Sequence, residues 1–193
     1  DPSPVLTTRV TNKSWVHHGT NAYSVPVELV GGLVQVRVGA EKIRIFANGL
    51  VAEHVREHRR SRLVLDIEHY LPLLERKARA VPHAAVVHQW IAKQDACWHS
   101  LLQVLQRRHG AYEGGVQFVA AIRLCVEHGA ERTSEAVAAA LRYAEVSLAT
   151  VRYQLGVAAE AATPPRAAIE YAGPEVRTTS AKAYDAMLEV TCD

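Results

Sequence analysis

The stretch "NAYSVPVELVGG", residues 21–32, sets the fold of the first third of the chain. It is mostly apolar, it contains one proline and it ends in two glycines. Pro26 has no backbone N–H, so it ends a ladder or lies at a sheet edge. Gly31 and Gly32 adopt positive φ at little cost and can reverse the chain. We therefore expect a strand, a corner at Pro26 and a turn into the next strand.

The segments that follow alternate between apolar and polar residues, which is the period of a strand with one buried face. "LVQVRVGA" begins at residue 33 and "KIRIFANG" at residue 42. Asn48-Gly49 is a strong hairpin signal, because both positions favour positive φ. With the two short pieces of "SWVHHGTNAYSV", this predicts a small antiparallel β-barrel within residues 1–62. The predicted inward-facing side chains are Val34, Val36, Ile43 and Ile45.

Apolar residues recur with a period of 3.6 from residue 83 onward, which predicts helices. A first stripe, from Trp90 to Leu105, ends at "RRHG", and a second ends at "EHG". "TSEAVAAALRY" and "SLATVRYQL" each open with Ser or Thr, which commonly cap helix N-termini. The expected parts after the barrel are a proline-broken linker at residues 63–82, an α-helical domain at 83–155 and an extended, flexible tail at 156–193.

Positive charge is concentrated in the first part of the chain. Residues 1–79 contain 12 Lys or Arg against 8 Asp or Glu, a net charge of +4, whereas residues 80–193 have 10 against 12, a net charge of −2. This difference suggests different partners for the two parts. The three cysteines form no disulfide framework, so we expect reduced thiols and a cytoplasmic protein. No apolar run approaches the ~18 residues of a membrane helix, and we expect no membrane partner.

The sequence contains no arrangement that predicts catalysis. His54 and His58 are four residues apart, but neither they nor the Cys97–His99 pair complete a four-ligand zinc set. Asp66 ends an apolar strand and could be the first carboxylate of a metal-dependent nuclease, yet no later strand delivers a second one. We expect no metal site, no cofactor and no enzymatic activity in this chain itself.

Seven cations lie in the predicted strands and in the basic segment "REHRRSR" at residues 56–62. Guanidinium groups bind phosphate oxygens in a bidentate way, and such contacts need no recognition of the bases. The alternative is a solvated polar face with salt bridges to Glu41, Glu53 and Glu57. The predicted DNA-binding residues are Arg37, Lys42, Arg44, Arg56, Arg59, Arg60 and Arg62.

Residues 131–155 have the length and the breaks of a helix-turn-helix, in which the second helix enters the major groove. That second helix would be "SLATVRYQL", which carries one cation, Arg152, whereas a groove-reading helix usually carries more. A plain helical hairpin is the preferred interpretation. Two alternative functions stay open: a free-standing DNA-binding regulator that uses residues 131–155, and a protein-interaction scaffold.

Together these segments resemble the C-terminal part of an IstA-type transposase, from bacterial insertion sequences that pair a transposase with an ATP-binding helper, IstB. The similar pieces are "GTNAYSVPVELVGGLVQVRV", "IRIFANGLVAEHVREHRRS", "DIEHYLPLLERKARAVPHAAVVHQW", "AAALRYAEVSLATVRYQL" and "AYDAML". They keep the family's order over residues 8 to 190. Ala78 stands where family members often have proline, so the local turn can differ there.

The resemblance implies the architecture of Mu transposase: an N-terminal DNA-binding region, an RNase H-like core with an Asp-Asp-Glu triad, a small β-barrel and a helical region. This chain matches only the last two parts, and its "DPSP" start fits a piece of a longer protein. The implied function is a non-catalytic DNA-binding and assembly fragment of a bacterial DDE-type transposase, on transposon-end or target DNA. Mg²⁺ is expected only in the catalytic domain. The implied partners are DNA, further transposase copies and an IstB-type AAA+ ATPase helper.

A short motif, "AYDAML" at residues 183–188, follows a stretch punctuated by proline and glycine. Tyr184, Met187 and Leu188 fall at i, i+3 and i+4, on one face of a helical turn. A turn of this kind can dock into the groove of a partner. Because related transposases recruit their helper through C-terminal sequences, the resemblance implies that these residues contact the helper. The alternative is a tail that packs on the chain's own helices.

Overall fold

The structure, a computed structural model, describes residues 5–162. This part of the chain forms one compact unit in which strands come first and helices follow, as the sequence predicts. The tail motif with Tyr184, Met187 and Leu188 lies outside the described residues. The strands are β1 (Val5–Arg9), β2 (Trp15–His18), β3 (Asn21–Ser24), β4 (Leu33–Val38), β5 (Lys42–Phe46), β6 (Leu50–Val55) and β7 (Leu63–Val64).

The predicted barrel is confirmed in outline, but its strands form two sheets that do not close into one. The first sheet is antiparallel with the order β1-β4-β5-β6, and the second has the order β2-β3-β7. The chain crosses between them at Pro26 and a 3-10 helix, Val27–Leu29. Because Pro26 has no N–H to donate and the next residues turn, no ladder joins β3 to β4. The pairing of β3 with β7 is parallel, whereas the sequence predicts only antiparallel strands.

The predicted inner face is confirmed, and the predicted positive φ is found at the turn residues except Gly32. Gly31 has φ +80°, and the hairpin between β5 and β6 has positive φ at both Asn48 and Gly49. The alternating residues of β4 and β5 fill the core between the sheets, as their period requires. The buried side chains of this core include Val10, Val16, Tyr23, Val25, Val34, Val36, Ile43 and Ile45.

Residues 63–82 form packed structure, whereas the sequence predicts a linker with one helical turn. They contain β7, a 3-10 helix (Glu68–Tyr70), helix α1 (Leu71–Arg76) and the start of a second 3-10 helix (Ala78–His83). The physical reason is burial, because their apolar side chains join the core of the helical part. Those buried side chains are Leu65, Ile67, Tyr70, Leu71, Leu74 and Val81. Pro72 lies in the first turn of α1, where its missing N–H costs little.

Four further α-helices follow α1 in the part of the chain that the structure describes. Two sequence predictions about these helices are wrong. Thr133 and Ser134 do not cap a helix: α4 starts directly after Gly129, and both side chains are buried within it. The last helix continues to Ala162, past the predicted start of the tail at residue 156. The helices are α2 (Ala85–Ile91), α3 (Ala96–His128), α4 (Ala130–Ala140) and α5 (Leu148–Ala162).

Helix α3 is interrupted at Gly110, which has φ +78° and ends the first stripe as the "RRHG" pattern predicts. Ser147 caps α5, because its Oγ accepts the backbone N–H of Thr150 at 3.4 Å. Trp98 and Leu101 in the first half of α3, and Phe118 and Ile122 in the second, are fully buried. The two halves of α3 therefore form the centre of the helical core.

Candidate nucleic-acid interface

The outer face of the β4–β5–β6 sheet carries three of the predicted DNA-binding cations. Arg37 and Arg44 are direct cross-strand neighbours, and the Arg37 guanidinium lies 4.8 Å from the centre of the Phe46 ring. Lys42 and Arg44 both bind Glu53 across the β5–β6 pair, at 2.5 and 2.7 Å. Hydrogen bonds from Arg44 and then Lys42 lower the pKa of Glu53 to about 2. Both ion pairs are exposed, so they are weak and can exchange for a phosphate.

Arg56 has a structural contact that the sequence does not predict. Its Nη1 donates to the carbonyl oxygen of Gly39 at 3.0 Å, and its backbone N–H donates to that of Glu41 at 2.7 Å. Both acceptors lie in the turn between β4 and β5. Arg56, which is half-buried, thereby ties the end of β6 to that turn. Of the seven predicted cations, it is the only one that is not exposed.

The other three predicted cations lie on the segment from residue 57 to residue 62, which we call the arginine loop. Asn21 holds both of its ends, because its Nδ2 donates to the Glu57 carbonyl at 2.8 Å and its Oδ1 accepts the Arg62 N–H at 2.9 Å. Tyr23 adds a third bond, since its hydroxyl accepts the Glu57 N–H at 3.1 Å. Ser61 N–H donates to Thr20 Oγ1 at 3.1 Å. The loop is therefore fixed to the start of β3.

The side chains of Arg59, Arg60 and Arg62 are exposed on this fixed loop. Within residues 5–162, none of them has a carboxylate oxygen within 4.0 Å. Glu57, the acid of the same loop, accepts the backbone N–H of Arg59 with its Oε1. This hydrogen bond is the main cause that lowers the pKa of Glu57, and the charges of Arg59 and Arg62 lower it further. Of the salt bridges that the alternative of a solvated polar face requires, only those of Glu53 form among residues 5–162, and Glu41 and Glu57 form none there.

Asn21 and Tyr23 are the functional residues that sequence reasoning missed. Both are buried in β3, and the side chain of each bonds the backbone of a loop 34 to 41 residues further along the chain. A polar side chain in a short strand that is buried needs a hydrogen-bond partner. The only signal in the sequence was therefore the presence of Asn21 and Tyr23 in a predicted strand. Asparagine can serve two partners at once, because its amide has both donors and acceptors.

A buried polar cluster lies behind β3. Ser24 Oγ is 2.8 Å from His69 Nδ1 and accepts the Asp66 N–H at 2.9 Å, while the Ser24 carbonyl contacts His54 Nε2 at 2.7 Å. Burial lowers the pKa of His69. A serine beside a histidine resembles a nucleophile with its base, but Ser24 is fully buried and no substrate can reach it. The cluster is structural.

Asp66 has a local role in the structure. Its Oδ1 accepts the backbone N–H of Glu68 at 3.0 Å, which shapes the turn before α1. Over the described residues, no three His, Cys, Asp or Glu side chains are grouped as a metal ion would require. Arg152, the cation of the possible recognition helix, is exposed on α5, which follows α4 after a seven-residue connection, residues 141–147.

Residues 1–66, which include all seven strands, match the family model of the Mu transposase C-terminal domain. The chain is similar to the C-terminal region of insertion-sequence transposases. This confirms the resemblance that the sequence motifs indicate. No solved structure matches the chain.

The individual relatives are bacterial transposases. A transposase for insertion sequences IS1326/IS1353 of Pseudomonas aeruginosa is 29% identical over 167 residues, which cover 82% of this chain and 31% of the relative. One of the same name from Shigella flexneri matches equally. A transposase of Aminobacter aminovorans is 32% identical over 142 residues, 70% of this chain and 27% of its own length. The chain thus spans about a third of the length of the curated relatives it matches.

Among the helices that the structure describes, none has both the length and the apolar character needed to cross a bilayer.

Proposed function

We propose that this chain is the DNA-binding and assembly part of a bacterial insertion-sequence transposase of the DDE type, and that it contacts transposon-end or target DNA without performing the chemistry. The observation that carries the proposal is the arginine loop. It presents three exposed guanidinium groups on a backbone fixed by Asn21, within a segment similar to the Mu transposase C-terminal domain.

The contact we infer is with the phosphate backbone. Arginine binds phosphate oxygens through two parallel N–H donors, and a fixed backbone reduces the entropy lost on binding. No ion pair with a described residue has to be broken before a phosphate can bind Arg59, Arg60 or Arg62. Lys42 and Arg44 first have to give up their ion pairs with Glu53 before they can bind a phosphate. We therefore rank them as secondary contacts, together with Arg37. Arg56 acts mainly by holding the β4–β5 turn.

The remaining parts of the proposal rest on the sequence resemblance. The parent transposase would bind Mg²⁺ in its catalytic domain, work in the bacterial cytoplasm and assemble with further copies of itself. An IstB-type AAA+ ATPase helper would bind Tyr184, Met187 and Leu188. Deletion of residues 180–193 should then abolish capture of the helper by the chain and leave DNA binding unchanged. Full capture by the shortened chain would contradict this contact.

The DNA contact can be tested by the salt dependence of binding to a 30-base-pair duplex of arbitrary sequence, measured by fluorescence anisotropy. Each phosphate contact adds ~0.9 to the slope of log affinity against log salt concentration. The double variant Arg59→Gln/Arg60→Gln should therefore reduce that slope by about 1.8. A matched control is Lys93→Gln/Arg142→Gln, which removes two exposed cations elsewhere.

The result that contradicts the proposal is an equal slope and affinity for the loop variant and the control. The variant Arg152→Gln distinguishes the proposed function from the alternative of a helix-turn-helix regulator. If this one change weakens binding more than the loop variant does, and in a sequence-dependent way, residues 131–155 are the DNA-reading element and the arginine loop is a solvated surface.

A further inference from the structure

A second basic cluster lies outside the predicted site, at the turn that follows α1. Arg76, Lys77 and Arg79 are exposed there, and together with Tyr112 of α3 they line a cavity of about 370 Å³. None of these cations belongs to the sheet face or to the arginine loop. The cluster joins the end of the β-rich part to the helical part within one compact unit.

The backbone of this turn is held against α3 by close packing. Ala78, between the exposed Lys77 and Arg79, is fully buried. A Cβ on Gly115 would lie 2.1 Å from the Ala78 carbonyl oxygen, so the turn approaches the helix closely only because residue 115 is glycine. The cations are therefore presented from a rigid backbone, as a preorganised anion site requires.

The charges of the cluster are not neutralised within the described part of the chain. Glu75, the nearest acid in sequence, pairs with Arg123 of α3. The Arg76 Nε donates to the Pro72 carbonyl at 3.2 Å, and Arg79 lies 6.0 Å from the centre of the Tyr112 ring. Among residues 5–162, no carboxylate oxygen lies within 4.0 Å of Arg76, Lys77 or Arg79.

A second cavity, of about 280 Å³, adjoins the first, since Lys77 and Ala80 line both, and we call the two cavities together the groove. Its walls include Trp15, Tyr70 and Leu73, and its rim carries Lys13, whose Nζ lies 5.0 Å from the centre of the Trp15 ring. The same arrangement, a cation near an aromatic ring, thus occurs once in each of the two adjoining cavities. Exposed Lys and Arg side chains that are not neutralised by the protein are the groups that bind the phosphates of duplex DNA.

We infer that this groove, with Arg76, Lys77, Arg79 and Lys13, is a second DNA-backbone site. The inference rests on the proposed function and deepens it: DNA bound by this chain contacts the start of the helical part as well as the arginine loop. All the charged side chains that line the groove are cations, and exposed cations bind phosphate oxygens without reading the bases, so we expect a contact with phosphates that is independent of sequence.

The test uses the same anisotropy titration with the full chain. Lys77→Gln/Arg79→Gln should lower the salt slope by about 1.8, and to the same extent on AT-rich and GC-rich duplexes. The matched control is again one lysine and one arginine, Lys93→Gln/Arg142→Gln. The charge-retaining variant Lys77→Arg/Arg79→Lys should keep the wild-type slope, which separates a lost charge from a distorted turn.

The outcomes distinguish this site from the arginine loop. If the loop variant lowers the slope and the Lys77/Arg79 variant does not, the second site is wrong and the proposed function stands. If neither variant changes the slope, both fail. A loss that the charge-retaining variant shares equally also overturns the second site, because the residues then act through the fold. Capture of an acidic protein partner with an unchanged DNA slope would assign the groove to that partner instead.

Discussion

At the scale of single residues, one buried amide governs the candidate DNA contact. Asn21 uses its donor on Glu57 and its acceptor on Arg62, so the two ends of the arginine loop depend on the same side chain. The loop residues that would meet DNA do not themselves create this arrangement. The geometry of the contact is therefore decided by a residue that cannot reach the ligand.

Asn21→Ala tests this dependence. The change leaves the Arg62 N–H without its partner and leaves the Glu57 carbonyl with only a long bond of 3.5 Å from the Tyr23 hydroxyl. An unsatisfied buried group costs about 1–3 kcal/mol in the free energy of unfolding. DNA affinity should fall as well, although no charge is removed. Urea unfolding and the anisotropy titration measure the two effects. Asn12→Ala, at an exposed position, should change the free energy of unfolding by less than about 0.5 kcal/mol. Unchanged DNA affinity in a destabilised Asn21→Ala would contradict the anchoring role.

His69 gives the protein a pH-dependent stability. Burial lowers its pKa from the ordinary value near 6.5, and the neighbouring charge of His54 acts in the same direction against Asp66 and Glu28. The unfolded chain therefore binds a proton more readily than the folded one. This contribution to stability is complete above pH 6.5 and is lost as the pH falls through the lowered pKa of the folded state.

We expect the melting temperature to fall between pH 7 and pH 5, a range in which the carboxylates of Glu53, Glu57 and Glu75, all with lowered pKa values, stay ionised. His69→Asn, which can keep a bond to Ser24 but does not titrate, should reduce that dependence. Thermal unfolding followed by circular dichroism at several pH values is the measurement. An identical pH dependence in the variant would assign the effect to other groups.

At the scale of elements, two adjacent glycines let the second half of helix α3 lie close to the first half of the same helix and to the turn at Ala78. A Cβ on Gly114 would lie 2.7 Å from the Leu105 carbonyl oxygen, and one on Gly115 would lie 2.1 Å from that of Ala78. Both contacts are with backbone, which cannot rotate away as a side chain can. The fold thus requires glycine here for space, in the interior of a helix where glycine is otherwise unfavourable.

Gly115→Ala should destabilise the protein by about 1–3 kcal/mol, the usual cost of overpacking, despite the better helix propensity of alanine. Gly156→Ala in α5 is the control, because a Cβ there meets no atom within 4 Å. The control should gain up to about 1 kcal/mol in the free energy of unfolding from propensity alone. Urea unfolding measures both, and a Gly115→Ala protein as stable as the control would show that the turn at Ala78 can move away.

The β5–β6 strand pair contains its own competitor for phosphate. Glu53 holds Lys42 and Arg44, so Glu53→Gln removes the carboxylate and frees two cations. If this face contacts DNA, affinity should rise and the salt slope should steepen by up to about 1.8. Glu135→Gln, an exposed acid of α4, serves as the control for net charge. Equal changes in the two variants would mean that the sheet face does not touch DNA.

The regular elements could be predicted from local pattern, and the misses came from distant partners. The period of two in β4 and β5 depends only on neighbouring residues, so their buried faces were predictable. β7 has two residues and pairs with β3 some 40 positions away, which leaves no local signal. Thr133 and Ser134 look like a cap in sequence, but Ser134 Oγ lies 2.9 Å from Trp98 Nε1 across the core.

At the scale of the whole molecule, the candidate site could be predicted by residue type but not by contact. The sequence identified the exposed arginines of the loop, since a cluster of cations after a strand is visible in one dimension. It could not separate Arg59 and Arg60 from the cations held by Glu53, because that pairing depends on strand register. The groove at Arg76–Arg79 was missed, since Tyr112 joins it only through the packing of α3 on the turn.

The core of the sheets and the core of the helices meet at two consecutive residues, with no linker between them. Val64 packs against the core of the sheets, whereas the next residue, Leu65, is buried in the helical core. Across the same join, Trp15 Nε1 donates to the Tyr70 hydroxyl, which in turn donates to the Lys13 carbonyl. A gene cut at residue 62 would remove β7, and one cut at residue 66 would keep β7 but remove Tyr70. We therefore expect a recombination breakpoint placed between residues 62 and 70 to cost stability, because it separates side chains that are packed or hydrogen-bonded to one another.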